Sequence, residues 1–323
     1  MKKTLATLTF TALALSAMAI PSLMSRYSTS AEAAQTTVTA DLTATGGVTL
    51  PANRNIYALN NNNVLFVMRP GTTSFARVAR LQEPGGNGNF IDMDFRPADK
   101  KLYALTDEGN LYTVALGATN AGALTKVSGL SPVFNGGYQS LMDFNPMVDA
   151  IRLINTEQQN YAVVKGATGV LNTTAVQTSL TYPAPDVNAG KDPNIACGAY
   201  TNNVAGATVT IIYMIDHALD TFATIPPAVV GGPSATGGGL LQTIGNLVTP
   251  TGARLNFGAT ADCDVFTNVN GVNFLVGVSG NTLFSIDLNQ INPNQVRGQT
   301  KNVVVRGLTL TDEGGNWNSV AIQ

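Results

Sequence analysis

From residue 50 onward, short runs of Ile, Leu, Val and aromatic residues alternate with turns of Asn, Asp and Gly. Two runs around one polar turn make a unit, and the unit occurs five times. The copies are "IYALNNNNVLFVM", "LYALTDEGNLYTV", "IRLINTEQQNYAVV", "IYMIDHALDTFATI" and "FLVGVSGNTLFSI". In each, two anchors stand nine residues apart: Tyr57 and Phe66, Tyr103 and Tyr112, Arg152 and Tyr161, Tyr213 and Phe222, Leu275 and Phe284. The runs are too short for helices and the turns would break one, so each copy predicts a β-hairpin.

The first anchors advance by 46, 49, 61 and 62 residues. A period of roughly 40–50 residues is that of a four-stranded propeller blade. The second copy shows all four strands, "FIDMDF", "KLYALT", "NLYTVAL" and "ALTKVSG". The longer steps are taken up by two turn-rich loops, "TYPAPDVNAGKDPN" (181–194) and "PPAVVGGPSATGGG" (226–239), expected to be exposed. No inner strand precedes Tyr57, while the strand-like tail "NSVAIQ" (318–323) has no blade of its own. Ring closure resolves both: the tail supplies the inner strand of blade one, which removes the free edges of a linear array. The prediction is an all-β, five-bladed propeller over 50–323; a six-bladed alternative needs one more hairpin.

Composition narrows the picture. Hydrophobic residues are 44% of the 323-residue chain, enough for a core, but charged residues are only 12%, about half the usual share. With a net charge of −2 and no basic cluster after Lys3, nothing points to nucleic acid as a partner. Lys2 and Lys3 precede the apolar run "LATLTFTALALSAMAI", which is short for a membrane span and fits a secretory signal. Small-x-small cleavage sequences follow at Ala17–Ala19 and Ala31–Ala33. The second is preferred because it removes the whole apolar segment. The expected organisation is a signal peptide over 1–33, an extension over 34–49 and one propeller domain. The mature chain, without a transmembrane segment, is then secreted, periplasmic or held at the cell surface.

The phrases "IDMDFRPADKKLYAL", "LMDFNP", "DVNAGKDPNIACGAYTNNVAGAT" and "YMIDHALDTFATIPP" resemble the bacterial domain-of-unknown-function family 4394, in the same order and over nearly the whole mature chain. The resemblance implies an exported, propeller-like protein and no assigned activity. Cys197 and Cys263 depart from it, standing where small or apolar residues are expected.

Candidate chemistry centres on a D-F-x-P element. Asp94 and Asp143 close an inner strand before its turn, and Asp262 in "ATADCDVF" is aligned with them. Because inner strands line the axis, these three are the candidate ligand-binding residues, ringing one mouth of the channel for a cation or polar ligand. The competing and favoured explanation is local: each carboxylate accepts N–H groups of its own turn. Catalysis by these acids needs a pair in contrasting environments, and three repeat-related Asp residues do not offer one. No catalytic residues are assigned. Asp99 and Asp149, in the following turns, read as solvated.

The loop "DVNAGKDPN" spaces Asp186, Asn188 and Asp192 like calcium ligands. Its Gly falls at the fifth position, however, and Cys197 occupies the place of the bidentate Glu. A stiff Asx turn is the better explanation, and calcium is the one cofactor the sequence suggests at all. His217, the only histidine, reads as an exposed turn residue. Cys197 and Cys263 fall on inner strands of adjacent blades; they bridge if their Cα atoms come within about 7 Å, and otherwise serve as small buried hydrophobes. Trp317 stands before the closing strand, as a sugar platform or a plug for the seam. The function these observations suggest is a non-enzymatic binding or envelope-associated structural module, with a glycan or an envelope protein as partner. The alternative is a carbohydrate-active hydrolase using channel-mouth carboxylates.

Overall fold

A computed structural model describes residues 47–226, 238–292, 295–310 and 316–323. The expected signal peptide with its cleavage sites, most of the 34–49 extension and most of the 226–239 loop lie outside these residues.

Five small antiparallel sheets form a five-bladed β-propeller. Blade two runs from the axis outward as Phe90–Phe95, Leu102–Thr106, Asn110–Val114 and Leu124–Gly129. Blade three follows with Ser140–Asn145, Ala150–Asn155, Asn160–Lys165 and Leu171–Val176. Blade four is Ile195–Tyr200, Ile212–Asp216, Thr221–Ile225 and Gln242–Val248, with Val303–Val304 added in parallel at its rim. Blade five is Ala261–Thr267, Asn273–Ser279, Thr282–Asp287 and Arg306–Thr309.

Blade one is assembled from both ends of the domain. Ile56–Asn60, Val64–Met68 and Ala76–Arg80 form its outer three strands, and Trp317–Ile322 is the innermost. The closing register pairs Ile56 with Ile322, Tyr57 with Ala321 and Ala58 with Val320. Trp317 begins this strand buried against Phe66 and Phe75, at ring separations of 5.2 and 4.9 Å. It therefore fills the closing blade.

The core is divided among the gaps between blades. Tyr57, Leu65 and Phe90 pack between blades one and two, while Tyr103, Phe134 and Phe144 pack between two and three. Leu141, Tyr200 and Met214 fill the next gap, Phe222, Phe257 and Phe284 the one after it. Met68, Phe266 and Trp317 close the last. A hairpin strand thus buries one face against each neighbouring sheet, which is why central strands such as Leu102–Thr106 and Ile212–Asp216 are buried at every position.

Two sequence expectations need correcting. The nine-residue anchor spacing hides two registers. Ala104 opposes Tyr112 and Leu153 opposes Tyr161, but in blades four and five the partners are Ile215 with Phe222 and Gly277 with Phe284. Asp216 pairs with Thr221 across four residues in blade four, and Ser279 pairs with Thr282 across only Gly280 and Asn281 in blade five. The 181–194 loop is also not simply exposed. Tyr182 and Asp186 are buried, with Tyr182 donating from its hydroxyl to Asp216 at 3.0 Å.

Candidate functional site

An innermost strand is an edge strand: one side pairs with its own sheet, and the other presents backbone N–H groups to the axis. Those groups are buried and require acceptors. Asp94 takes the N–H of Phe95 at 2.6 Å and, across the gap, that of Phe144 in blade three at 2.8 Å. Asp143 takes the N–H of Tyr200 in blade four at 3.1 Å. Asp264 takes the N–H of Val265 at 2.5 Å and that of Ile322 in blade one at 2.6 Å. Phe144, Tyr200 and Ile322 are therefore equivalent donors, and Asp94, Asp143 and Asp264 form one tier around the axis.

A second tier lies two residues earlier on the same strands. Asp262 accepts from the N–H of Val320. Asp92 accepts from the N–H groups of Met93 and Met142 and from the hydroxyls of Ser140 and Ser319, the last at 2.7 Å. Ser319 completes the tier by taking the Met93 N–H at 3.0 Å. Side chains thus fasten four of the five gaps. At the fifth, between blades four and five, Ala199 stands in the tier position and a Cys197–Cys263 disulfide crosses instead, with Cα atoms 5.5 Å apart.

This geometry revises the sequence reading in two respects. Asp262 does not share the tier of Asp94 and Asp143; Asp264 does. Two acids at positions i and i+2 share one face of a strand, and only the cross-blade donor tells them apart. The carboxylates are also not turn caps: they lie within strands and reach to the next blade. Asp92, Asp264 and Ser319 went unnoticed in sequence, although the D-x-D spacing in "FIDMDF" and "ADCDVF" was visible.

Burial governs the electrostatics. All five axial acids are enclosed, and desolvation disfavours their ionised forms. It pushes Asp92 and Asp264 up to about 7, opposed by the hydrogen bonds each accepts. It lifts Asp94, Asp143 and Asp262 well above the usual carboxylate range, with neighbouring carboxylates adding to the effect. Oxygens of Asp94, Asp143 and Asp264 lie within 4.8 Å of one another. They are the axial residues that could hold a cation, but cations border the approach: Arg54, Arg96 and Lys100 line the cavity above. Burial and mutual repulsion both favour the protonated forms of Asp94 and Asp143, and burial does so for Asp264.

That cavity, about 490 Å³, sits where the inner strands end. Its walls come from blade one (Arg54, Ile322), blade two (Phe95, Pro97, Lys100) and the loop after the inner strand of blade four (Val204). These blades are not all neighbours in the ring, so the cavity lies over the axis. Beside it, Arg96 bonds both oxygens of Asp149 at 2.7 and 2.6 Å and meets Asp99 at 3.1 Å. Lys165 pairs with Asp149 as well. Asp149 is thus half-buried and held by two cations, against the solvated reading, whereas Asp99 is exposed as expected although it meets Arg96.

The proposed calcium loop is committed elsewhere. Asp186 is buried and accepts from the Thr243 N–H and hydroxyl at 2.8 and 2.7 Å and from the Asn188 N–H at 3.0 Å. Asn188 donates to the Thr243 hydroxyl, and Asp192 accepts from Gln158. The loop is pinned to blade four by these bonds. His217 is half-buried rather than exposed, and burial lowers its pKa.

Comparison with known proteins adds a family but no activity. The chain has no match among curated proteins. It is similar to a structure of a candidate 6-phosphogluconolactonase from Bacteroides uniformis, at 11% identity and a TM-score of 0.39, covering 80% of this chain and 68% of that one. It is also similar to a protein of unknown function from Bacteroides thetaiotaomicron, at 13% identity and a TM-score of 0.45, covering 79% and 58%. Likenesses this distant carry no argument about activity. The sequence model of one family matches residues 85–309, well over half the chain, and the blades with their axial acids fall largely inside it: the chain belongs to the family described as Domain of unknown function (DUF4394).

Proposed function

We propose that this chain is an exported, non-catalytic β-propeller, acting as a binding or envelope-associated structural module. The observation that carries the reading is the use made of the axial acids. Hydrolysis by paired carboxyls needs one acid and one base in contrasting settings, both open to a substrate. Here the five axial carboxylates share one kind of setting, enclosed and bonded to strand N–H groups. Support for export comes from the basic and apolar first 33 residues and from a disulfide pair, which suits an oxidising compartment. No helix among the described residues is long and apolar enough to cross a membrane.

The test is to express the full chain in a bacterial host, fractionate the cells and weigh the product. Export predicts a periplasmic or released protein whose mass corresponds to cleavage after Ala33. An intact cytoplasmic chain defeats that half of the reading. Turnover of a panel of chromogenic glycosides, abolished by Asp94→Asn, would install the hydrolase in its place.

A further inference from the structure

We propose that the cavity over the axis is a binding site for a small organic anion, its carboxylate or phosphate met by Arg54 and Lys100 and its compact body seated on Phe95, Pro97, Val204 and Ile322. This deepens the binding-module reading, on which it rests, by assigning a place and a ligand class.

The first argument is size and lining. About 490 Å³ falls within the roughly 300–1,000 Å³ of small-molecule sites, which pair an apolar wall with a few polar groups. The wall here is largely apolar, and its polar groups are the cations Arg54, Arg96 and Lys100 with the amides of Asn203 and Gln323.

The second argument is charge balance. Two acids and two bases beside the cavity neutralise one another: Asp99 and Asp149 with Arg96 and Lys165. Among the described residues, Arg54 and Lys100 make no ion pair. Arg54 favours the ionised form of Asp264 beneath the floor, while burial disfavours it, so that acid offsets Arg54 only in part. A concave site with surplus positive charge and apolar walls concentrates anions and repels cations. Arg54 adds geometry, since a half-buried guanidinium presents a fork that matches a planar carboxylate or a phosphate.

The test uses the purified protein at low ionic strength, titrated calorimetrically with benzoate and with phenyl phosphate. Benzyl alcohol and benzylamine serve as the neutral and cationic counterparts. Both anions should bind and raise the melting temperature; the counterparts should not. The double variant Arg54→Gln/Lys100→Asn should weaken anion binding at least about tenfold, the scale of losing charge-assisted hydrogen bonds. Asn suits position 100, whose φ is 58°. Arg77→Gln, exposed on an outer strand of blade one, should change nothing. Failure of both anions to bind, equal binding of benzyl alcohol, or an unaffected double variant of normal melting temperature overturns the proposal. Phenol released from phenyl phosphate reports separately. It would defeat the non-catalytic reading while leaving the anion site in place.

Discussion

Raising the pH from about 4.5 to about 7.5 should destabilise this propeller. Asp92 and Asp264 move from the ordinary 3.8 up to about 7 in the folded state. Between those values the folded chain holds protons that the unfolded chain has released. Stability changes with pH as 2.303RT times the protons bound unfolded minus those bound folded, so the slope is negative, about 1.4 kcal/mol per unit for each extra proton. The contribution is complete below the unfolded value and gone above the folded one. At one extra proton each over roughly three units, Asp92 and Asp264 contribute a loss of about 4 kcal/mol apiece, together a large part of a domain's usual 5–15 kcal/mol. Asp216, pushed up to about 6 by burial, acts in the same direction, as does Asp220. His217, lowered by burial, opposes them up to about its ordinary value, and Arg54 favours the ionised form of Asp264. Glu83 and Asp149 lie below the usual range because hydrogen bonds and cationic neighbours, Lys126 for the first and Arg96 and Lys165 for the second, outweigh burial; their contribution is lost only in more acid solution. Urea melts at constant ionic strength across this range measure the slope, and Asp264→Asn should flatten it by about one proton. A stability that is level or climbs between about pH 4.5 and about pH 7.5 would refute the reasoning.

Three further outcomes follow from the same structure. Replacing Cys197 and Cys263 by Ala removes a cross-link spanning 66 residues; loop-closure entropy puts the cost at about 4 kcal/mol, read from denaturant melts, and unchanged melts would mean the gap holds without it. Trp317→Ala empties the closing blade of a fully packed ring and should cost about 3–5 kcal/mol; a loss below about 1 kcal/mol would show that the end strand adds little. At Gly198 a Cβ would stand 2.5 Å from the Tyr213 carbonyl oxygen and 2.7 Å from Leu141 Cδ1. Gly198→Ala should therefore cost about 1–3 kcal/mol by overpacking, and a neutral result would mean blades three and four can part at the axis.

Much of the wheel was legible in the chain because blades are local. A hairpin such as Leu102–Val114 announces itself through neighbouring residues, and the homeless tail at 318–323 pointed to closure. The axial site was less legible because its bonds join residues far apart. Nothing near Asp264 says that its partner is the N–H of Ile322, 58 residues on, and nothing in "ADCDVF" says which Asp stands level with Asp94. The two-residue turn at Gly280 and Asn281 also moved blade five out of step with the anchor count. At Asp186, Asn188 and Asp192 the favoured Asx turn is present, with the Asn188 N–H on Asp186, but the loop's anchorage was hidden for a related reason. Spacing cannot reveal that Thr243, in a strand 57 residues later, takes both oxygens of the first ligand.

The strand Trp317–Ile322 has a consequence for how the protein comes into being. It pairs with Ile56–Asn60, the first strand of the propeller, so the ring cannot lock until every blade between them has been made. Until those residues arrive, Ile56–Asn60 waits with a bare flank, open to pairing with a stranger. A chain cut short anywhere before Trp317 would keep that flank bare, and clumping through it is the failure this architecture invites.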